Sequence, residues 1–130
     1  MKKRTSLLRS LLFLSGCSAP AAQQADYRQV TAEEAAALMQ TESGYLILDV
    51  RTPEEYAERH IPGAVNLPNE TIGTEAPPQL LDKEQLLLVY CRSGNRSKQA
   101  AGKLAALGYT NVVEFGGIND WPGETVAGEG

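Results

Sequence analysis

Residues 86–98 read LLLVYCRSGNRSK, an apolar run followed by a short polar loop and the start of a predicted helix. The run at 86–90 is the most apolar of the predicted strands, which indicates a strand buried on both faces at the centre of a sheet. A helix is predicted from about Ser97 to Leu107, because alanine and leucine side chains recur there on one face. Gly108 fits the left-handed position that ends such a helix. This strand–loop–helix unit is typical of an α/β fold.

The segments on either side of this unit alternate between predicted strands and predicted helices. Further strands are predicted at 27–30, 45–50, 64–67 and 111–115. Capping boxes at 31–34 and 52–55 predict two helices, the first reaching about Gln40, and a short helix around 79–81 follows a loop at 69–78. The alternation predicts a doubly wound, mostly parallel α/β sheet with helices on both faces.

Length and composition limit the classes to which this chain can belong. The chain has 130 residues, 42% of them hydrophobic, which suits one globular domain. Its 16 acidic and 12 basic residues give a net charge of −4, which argues against nucleic acid as a partner. Two cysteines without a C-x-x-C spacing are too few for a disulfide scaffold, a zinc site or dithiol redox chemistry. We expect neither a metal nor a cofactor.

The first 17 residues have the features of an export signal. Met1 to Arg4 is basic, and an apolar or small stretch over 10–16 leads to Cys17. That stretch is too short for a transmembrane helix, and Arg9 limits it to seven residues. The sequence LSGC, residues 14–17, resembles the lipobox of bacterial lipoproteins. The resemblance implies cleavage before Cys17 and attachment of a lipid to that residue.

This interpretation divides the chain into a signal peptide at 1–16, the lipidated Cys17 with a flexible tether at 17–25, and a folded domain at 26–130. It implies an exported protein, anchored in the cell envelope through its lipid. Because Ser18 follows the cysteine, the resemblance implies the periplasmic side of the outer membrane in a Gram-negative cell. Cleavage would remove four of the 12 basic residues and leave 114 residues with a net charge of −8.

Cys91 follows the most apolar strand directly, and functional groups collect beyond such carboxyl ends in open parallel sheets. Gly94 and Asn95 tolerate a left-handed backbone, so the loop amides can point inward around an anion. The start of the following helix also favours a thiolate over a thiol. Three cations lie within a few residues of the cysteine: Arg92, Arg96 and Lys98. The sequence therefore predicts a nucleophilic cysteine on an anion-binding loop, with a buried structural cysteine as the alternative.

Other polar residues have a structural as well as a functional interpretation. Asp49 and Arg51 end the neighbouring predicted strand, where a structural ion pair is favoured over an orienting role beside the loop. His60 precedes an Ile-Pro-Gly turn, which favours a turn-stabilising hydrogen bond over catalysis. Three acidic residues are predicted to form a solvated helix face: Glu54, Glu55 and Glu58.

Four motifs, in this order, resemble the rhodanese domain family. They are LDVRTPEEY at 48–56, HIPGA at 60–64, the loop CRSGNR at 91–96, and FGG at 115–117 followed by Trp121. The resemblance covers 26–123 and implies a rhodanese-like fold with sulfurtransferase activity. In that family a cysteine takes sulfane sulfur from a donor such as thiosulfate, becomes a persulfide, and passes the sulfur to cyanide or another thiophile.

By position, the resemblance implies that Cys91 is the nucleophile and persulfide carrier. It implies substrate binding by the loop residues Arg92, Ser93, Gly94, Asn95, Arg96 and Ser97. Asp49, Arg51 and Lys98 are candidates for supporting positions around the loop, with the structural ion pair favoured for Asp49 and Arg51. The implied partners are a small anionic sulfur donor, a thiol or cyanide as acceptor, and the membrane through the lipid on Cys17.

The length of the loop that begins at Cys91 helps to distinguish sulfur transfer from the alternative activities of this fold. In this fold, six-residue loops accompany sulfur transfer, whereas seven-residue loops accompany related phosphatases and arsenate reductases. The loop at 91–96 has six residues, and Ser97 stands where such a phosphatase needs its arginine. A thiol-dependent phosphatase or arsenate reductase is therefore a less favoured alternative. The remaining alternative is a non-catalytic rhodanese-type module that binds a partner at the membrane.

Overall fold

The computed structural model describes residues 26–128, so the predicted signal peptide, Cys17 and the tether lie outside the described residues. Five strands form one sheet: β1 Arg28–Gln29, β2 Leu46–Asp49, β3 Val65–Asn66, β4 Leu87–Cys91 and β5 Val112–Gly117. All neighbouring strands are parallel, in the order β1-β5-β4-β2-β3. The strand predicted to be central, β4, lies in the middle of the sheet and is fully buried.

Within residues 26–128, three α-helices accompany the strands: α1 Ala32–Thr41, α2 Pro53–Glu58 and α3 Asn95–Ala106. Both predicted capping boxes are present, because Thr31 and Glu34 bond reciprocally at α1, as do Thr52 and Glu55 at α2. The third helix begins directly after Gly94, whose φ of +114° lies in the region that favours glycine. The loop after β4 therefore turns abruptly into α3.

Side chains alternate between the two faces of the sheet, and helices cover both faces. On one face, α3 packs through Ala100, Ala101 and Leu104 against a cluster that includes Cys91. On the other face, α1 contributes Ala32 and Ala35 to a cluster that includes Tyr90 and Phe115. This arrangement confirms the predicted doubly wound α/β architecture and places Cys91 on the α3 face.

The segment between β3 and β4 differs from its prediction. The short helix predicted at 79–81 is wrong: the Leu80 amide donates to the Pro77 carbonyl at 3.0 Å in a turn. The Leu80 carbonyl, which a helix would bond to its own backbone, instead accepts a 2.6 Å hydrogen bond from the Tyr109 hydroxyl. The predicted loop at 69–78 begins with a 3-10 turn, Asn69–Thr71.

The chain after β5 returns to the turn that follows α2. A 3-10 turn, Ile118–Asp120, ends the sheet, and the backbones of His60 and Val126 then exchange two hydrogen bonds of 2.8 Å. The His60 side chain is buried, stacks on Tyr56, and places Nδ1 2.8 Å from the Tyr56 carbonyl. These contacts agree with the structural interpretation of His60. Among residues 26–128, no helix has the length and apolarity to cross a membrane.

Candidate active site

Cys91 ends β4 beneath the loop that leads into α3, and only 1% of the residue is exposed. The Gly94 amide donates a hydrogen bond to Cys91 Sγ at 3.0 Å. The backbone amides of Ser93 and Ser97 also lower the pKa of this sulfur. The loop thus surrounds a buried sulfur atom with backbone donors, the arrangement that its glycine and small polar residues predict.

Burial and hydrogen bonding act on Cys91 in opposite directions. Burial alone raises the pKa of the thiol, because the thiolate is poorly solvated inside the protein. The Ser97 hydroxyl and the three loop amides outweigh burial, so the pKa of Cys91 lies below its ordinary value. The site therefore favours a thiolate, the form of cysteine that acts as a nucleophile.

A polar cluster lies directly under the sulfur. Ser97 Oγ is 3.4 Å from Cys91 Sγ and donates toward Glu114 Oε2 at 2.5 Å. Glu114 is 2% exposed and also accepts a 2.9 Å hydrogen bond from the Gly116 amide. Glu114 is absent from the residues that the sequence predicts for this site, although a charged residue inside an apolar strand is an available signal.

Gly117 allows the loop to lie against β5. A Cβ atom at this position would stand 1.9 Å from the Arg92 carbonyl oxygen and 2.6 Å from the Ser93 nitrogen. The Asn119 amide donates to the same Arg92 carbonyl at 3.2 Å. A glycine at this position therefore permits a backbone approach that fixes the loop above the end of the sheet.

The two arginines of the loop are both bound to Glu55. Arg92 contacts Glu55 Oε2 through Nε at 3.1 Å and Nη2 at 3.0 Å, and Arg96 Nη1 lies 2.8 Å from Glu55 Oε1. Arg96 is the largest influence that holds the pKa of Glu55 well below its usual range. The prediction of a solvated face is therefore wrong for Glu55, whose side chain is 17% exposed. Its capping position could be read from the sequence, but its long-range partners could not.

Asp49 and Arg51 form a buried ion pair on the opposite face from Cys91. Arg51 Nη2 lies 2.6 Å from Asp49 Oδ2, and the Tyr90 hydroxyl donates to the same oxygen at 2.8 Å. Burial raises the pKa of Tyr90, because its ionised form would be poorly solvated beside this carboxylate. The pair braces the end of β2, in agreement with the favoured structural interpretation. Lys98 is exposed on the first turn of α3.

The remaining residues of the loop divide into two groups. Ser93 and Asn95 have exposed side chains, whereas Gly94 and Ser97 are buried against the sulfur. Within residues 26–128, no cluster of His, Cys, Asp and Glu side chains could hold a metal ion. The functional groups at this site are therefore a thiol with a lowered pKa, the backbone amides of the loop, and the Arg92 and Arg96 guanidinium groups, which are bound to Glu55.

Known proteins resemble this chain along most of its length. Thiosulfate sulfurtransferase PspE of Escherichia coli is 38% identical over 73 residues, which span 56% of this chain and 70% of that protein. Thiosulfate sulfurtransferase GlpE of Pseudomonas syringae is 36% identical over 108 residues, which span 79% of this chain and 98% of that protein.

A solved structure, described as a rhodanese with anions from E. coli, has 38% sequence identity and a TM-score of 0.55. The match covers 65% of this chain and 99% of that one. Residues 31–124 match the family described as the rhodanese-like domain, and this range includes every residue of the loop. The chain therefore belongs to the rhodanese-like domain family.

Proposed function

We propose that the protein is a sulfurtransferase that carries sulfane sulfur on Cys91, from an anionic donor such as thiosulfate to a thiophilic acceptor. The observation that carries this proposal is the buried Cys91 sulfur, which accepts hydrogen bonds from loop amides and has a lowered pKa. Similarity to two thiosulfate sulfurtransferases supports the same reaction class. The acceptor is cyanide or a thiol.

The first step is an attack by the Cys91 thiolate on the outer sulfur of thiosulfate. A bond forms between Cys91 Sγ and that sulfur while the donor's S–S bond breaks, and the bonding electron pair leaves with sulfite. The product is a cysteine persulfide whose terminal sulfur bears the negative charge. Because a thiolate already exists, the step needs no general base in contact with the donor.

The second step returns the enzyme to its starting state. The acceptor attacks the terminal persulfide sulfur, the S–S bond to Cys91 breaks, and its electron pair restores the thiolate. With cyanide as acceptor the product is thiocyanate. The loop amides stabilise the anionic sulfur at each stage, because backbone N–H groups stay in place while the charge moves.

Arg92 and Arg96 supply positive charge at the rim of the loop, where an anionic donor arrives. Their side chains are 49% and 32% exposed, so both guanidinium groups remain within reach of solvent. Glu55 balances part of this charge. A balanced rim favours passage of a small anion over tight retention of a phosphate group, which supports sulfur transfer over the phosphatase alternative.

Persulfide formation is the direct test. Wild-type protein treated with thiosulfate should gain about 32 Da, the mass of one sulfur atom, on the peptide that contains Cys91. Cyanide should remove this mass and release thiocyanate. Cys91→Ala should show neither event, and Glu54→Gln, on the exposed side of α2, serves as a control that keeps both. Identical behaviour of wild type and Cys91→Ala would instead favour the non-catalytic binding module.

We also propose that the protein is exported and anchored through a lipid on Cys17, on the periplasmic side of an outer membrane. The support is the basic start of the chain, the short apolar stretch and the LSGC sequence that ends at Cys17. Wild-type protein should incorporate labelled fatty acid and sediment with membranes. Cys17→Ala should incorporate no label, and equal labelling of the two forms would refute the proposal.

A further inference from the structure

A carboxylate of the protein itself already occupies the two arginines of the active-site loop. Arg92 donates to Glu55 Oε2 through Nε at 3.1 Å and through Nη2 at 3.0 Å. Arg96 donates through Nη1 to Oε1 at 2.8 Å and through Nη2 to Oε2 at 3.1 Å. These pairs of N–H groups are the guanidinium forks that recognise carboxylate and phosphate oxygens. Glu55 therefore stands where an incoming oxyanion would otherwise be held.

Glu55 is held in this place by its own helix as well as by the arginines. Its Oε1 accepts hydrogen bonds from the Thr52 amide at 3.0 Å and from the Thr52 hydroxyl at 3.1 Å, within the capping box that begins α2. Each carboxylate oxygen thus accepts three hydrogen bonds. Its hydrogen bond to Arg96 is the main reason that the pKa of Glu55 lies well below its usual range. The negative charge is therefore fixed between the two arginines before any substrate arrives.

The same arginines lie close to the reactive sulfur. Arg92 follows Cys91 directly in the sequence. The pKa of Arg96 is raised above its ordinary value, first by its hydrogen bond to Glu55 and also by the charge of Cys91, so its guanidinium is within electrostatic reach of the sulfur. An anion that approaches Cys91 and binds both arginines must displace the carboxylate or share its donors. Glu55 is therefore an internal competitor for anions at this site.

We propose that Glu55 is a specificity-determining residue that excludes phosphate from the Cys91 site by occupying Arg92 and Arg96. This inference rests on the proposed function, because it concerns the anions that compete with the sulfur donor. Glu55 opposes the binding of every anion, including the donor. Specificity is a difference between two affinities, so the inference requires that Glu55 weakens the binding of phosphate more than that of thiosulfate.

The two anions distribute their charge differently, which supplies this difference. At mildly alkaline pH, inorganic phosphate carries about two negative charges, and both are on oxygen atoms. Thiosulfate carries about one negative charge on its outer sulfur, which Cys91 attacks, and about one on the sulfonate oxygens that face the arginines. At equal distance, the Glu55 carboxylate therefore repels the oxygens of phosphate about twice as strongly as those of thiosulfate.

Glu55→Gln removes the charge and keeps the start of α2. Glutamine also suits this position of a capping box, so its carbonyl oxygen can accept the two Thr52 hydrogen bonds while its amide group faces the arginines. The variant should lower the Kd of inorganic phosphate about 25-fold, the square of the about fivefold effect expected for one charge. Equilibrium dialysis with radiolabelled phosphate at constant ionic strength measures this Kd without a sulfur donor. A change of fivefold or less would overturn the proposal.

A double-mutant cycle separates release of the arginines from a general effect of charge. In an Arg92→Ala background, where only Arg96 can be released, Glu55→Gln should lower the Kd of phosphate only about fivefold. An equal gain in both backgrounds would mean that the arginines are not involved, and it would overturn the proposal. Glu54→Gln removes an exposed carboxylate from the same helix and should leave the Kd unchanged.

Competition in the wild-type protein covers the case in which Glu55→Gln does not fold. Phosphate at the same concentration as thiosulfate should leave wild-type turnover unchanged, and a twofold loss of turnover would overturn the proposal. Persulfide formation on Cys91 tests the proposed function separately. A protein that forms the persulfide but binds phosphate equally well with Glu55 and with glutamine would retain the function and lose this role of Glu55.

Discussion

Replacement of Gly117 by alanine should disable the site without disturbing the sheet. Gly117 has extended backbone angles, φ −148° and ψ 167°, which alanine adopts without strain. The consequence of the substitution is therefore steric. Its new methyl group would point at the backbone of Arg92 and Ser93, the first two residues of the loop after Cys91.

The size of the effect follows from the distances. The added Cβ would lie 1.9 Å from the Arg92 carbonyl oxygen, and real Cβ atoms essentially never approach other atoms closer than 3.0 Å, so the loop must move by more than 1 Å. The Ser93 amide, which helps to lower the pKa of the sulfur, would move with it. A displacement of about 1 Å costs on the order of 100-fold in rate. Overpacking should cost about 1–3 kcal/mol of stability.

The assay compares turnover with thiosulfate and cyanide in Gly117→Ala and in wild type, below the temperature at which either unfolds. Urea unfolding of both proteins gives the stability difference. Gly102→Ala is the matched control, because a Cβ there meets nothing within 4 Å on α3. It should keep wild-type turnover and gain roughly 0.5–1 kcal/mol of stability. Turnover of Gly117→Ala within twofold of wild type would refute the steric argument.

Three further predictions concern charge, burial and pH. Glu55→Gln frees the loop arginines and should lower the KM for thiosulfate about fivefold, which corresponds to roughly 1 kcal/mol. The control Glu54→Gln should leave the KM unchanged. A raised KM in Glu55→Gln would contradict the expectation. Asp49→Asn leaves Arg51 as an uncompensated buried charge and should lower the free energy of unfolding by about 3–5 kcal/mol, as measured with urea. A loss below about 1 kcal/mol would show that the ion pair is not needed for stability. Because the pKa of Cys91 is lowered, the rate of persulfide formation should fall as the pH drops through the pKa of Cys91 in the folded protein, and it should level off above that pKa. The midpoint of this profile should lie below the pKa of a free cysteine. A midpoint at or above the pKa of a free cysteine would disprove this prediction.

The sheet and the place of Cys91 at the start of the loop could be predicted because their signals are local. The apolar run at 86–90 predicts a central strand by itself, and Cys91 with Gly94 predicts a turn into a helix from adjacent residues. The structure bears out both features, with β4 in the centre and Gly94 in a left-handed conformation. Local sequence is sufficient where each residue's neighbours in space are also its neighbours in the chain.

The partners of Glu55 and Glu114 could not be predicted, because they lie far away in the sequence. Glu55 is 37 and 41 residues from the two arginines that it binds. Glu114 pairs with Val89 on β4 and contacts Ser97, 17 residues away in the sequence, and local sequence patterns do not specify such a contact. The failed helix at 79–81 has the same origin, since the Leu80 carbonyl accepts a hydrogen bond from Tyr109, which lies 29 residues away in the sequence.

The edges of the sheet have a consequence for behaviour at high concentration. Its two outer strands, β1 and β3, contain two residues each, and β1 includes the charged Arg28. Long, flat outer strands provide a template on which another chain can extend a sheet. Because each outer strand offers so few unpaired backbone groups, the domain is protected against edge-to-edge aggregation, even when many copies are crowded together.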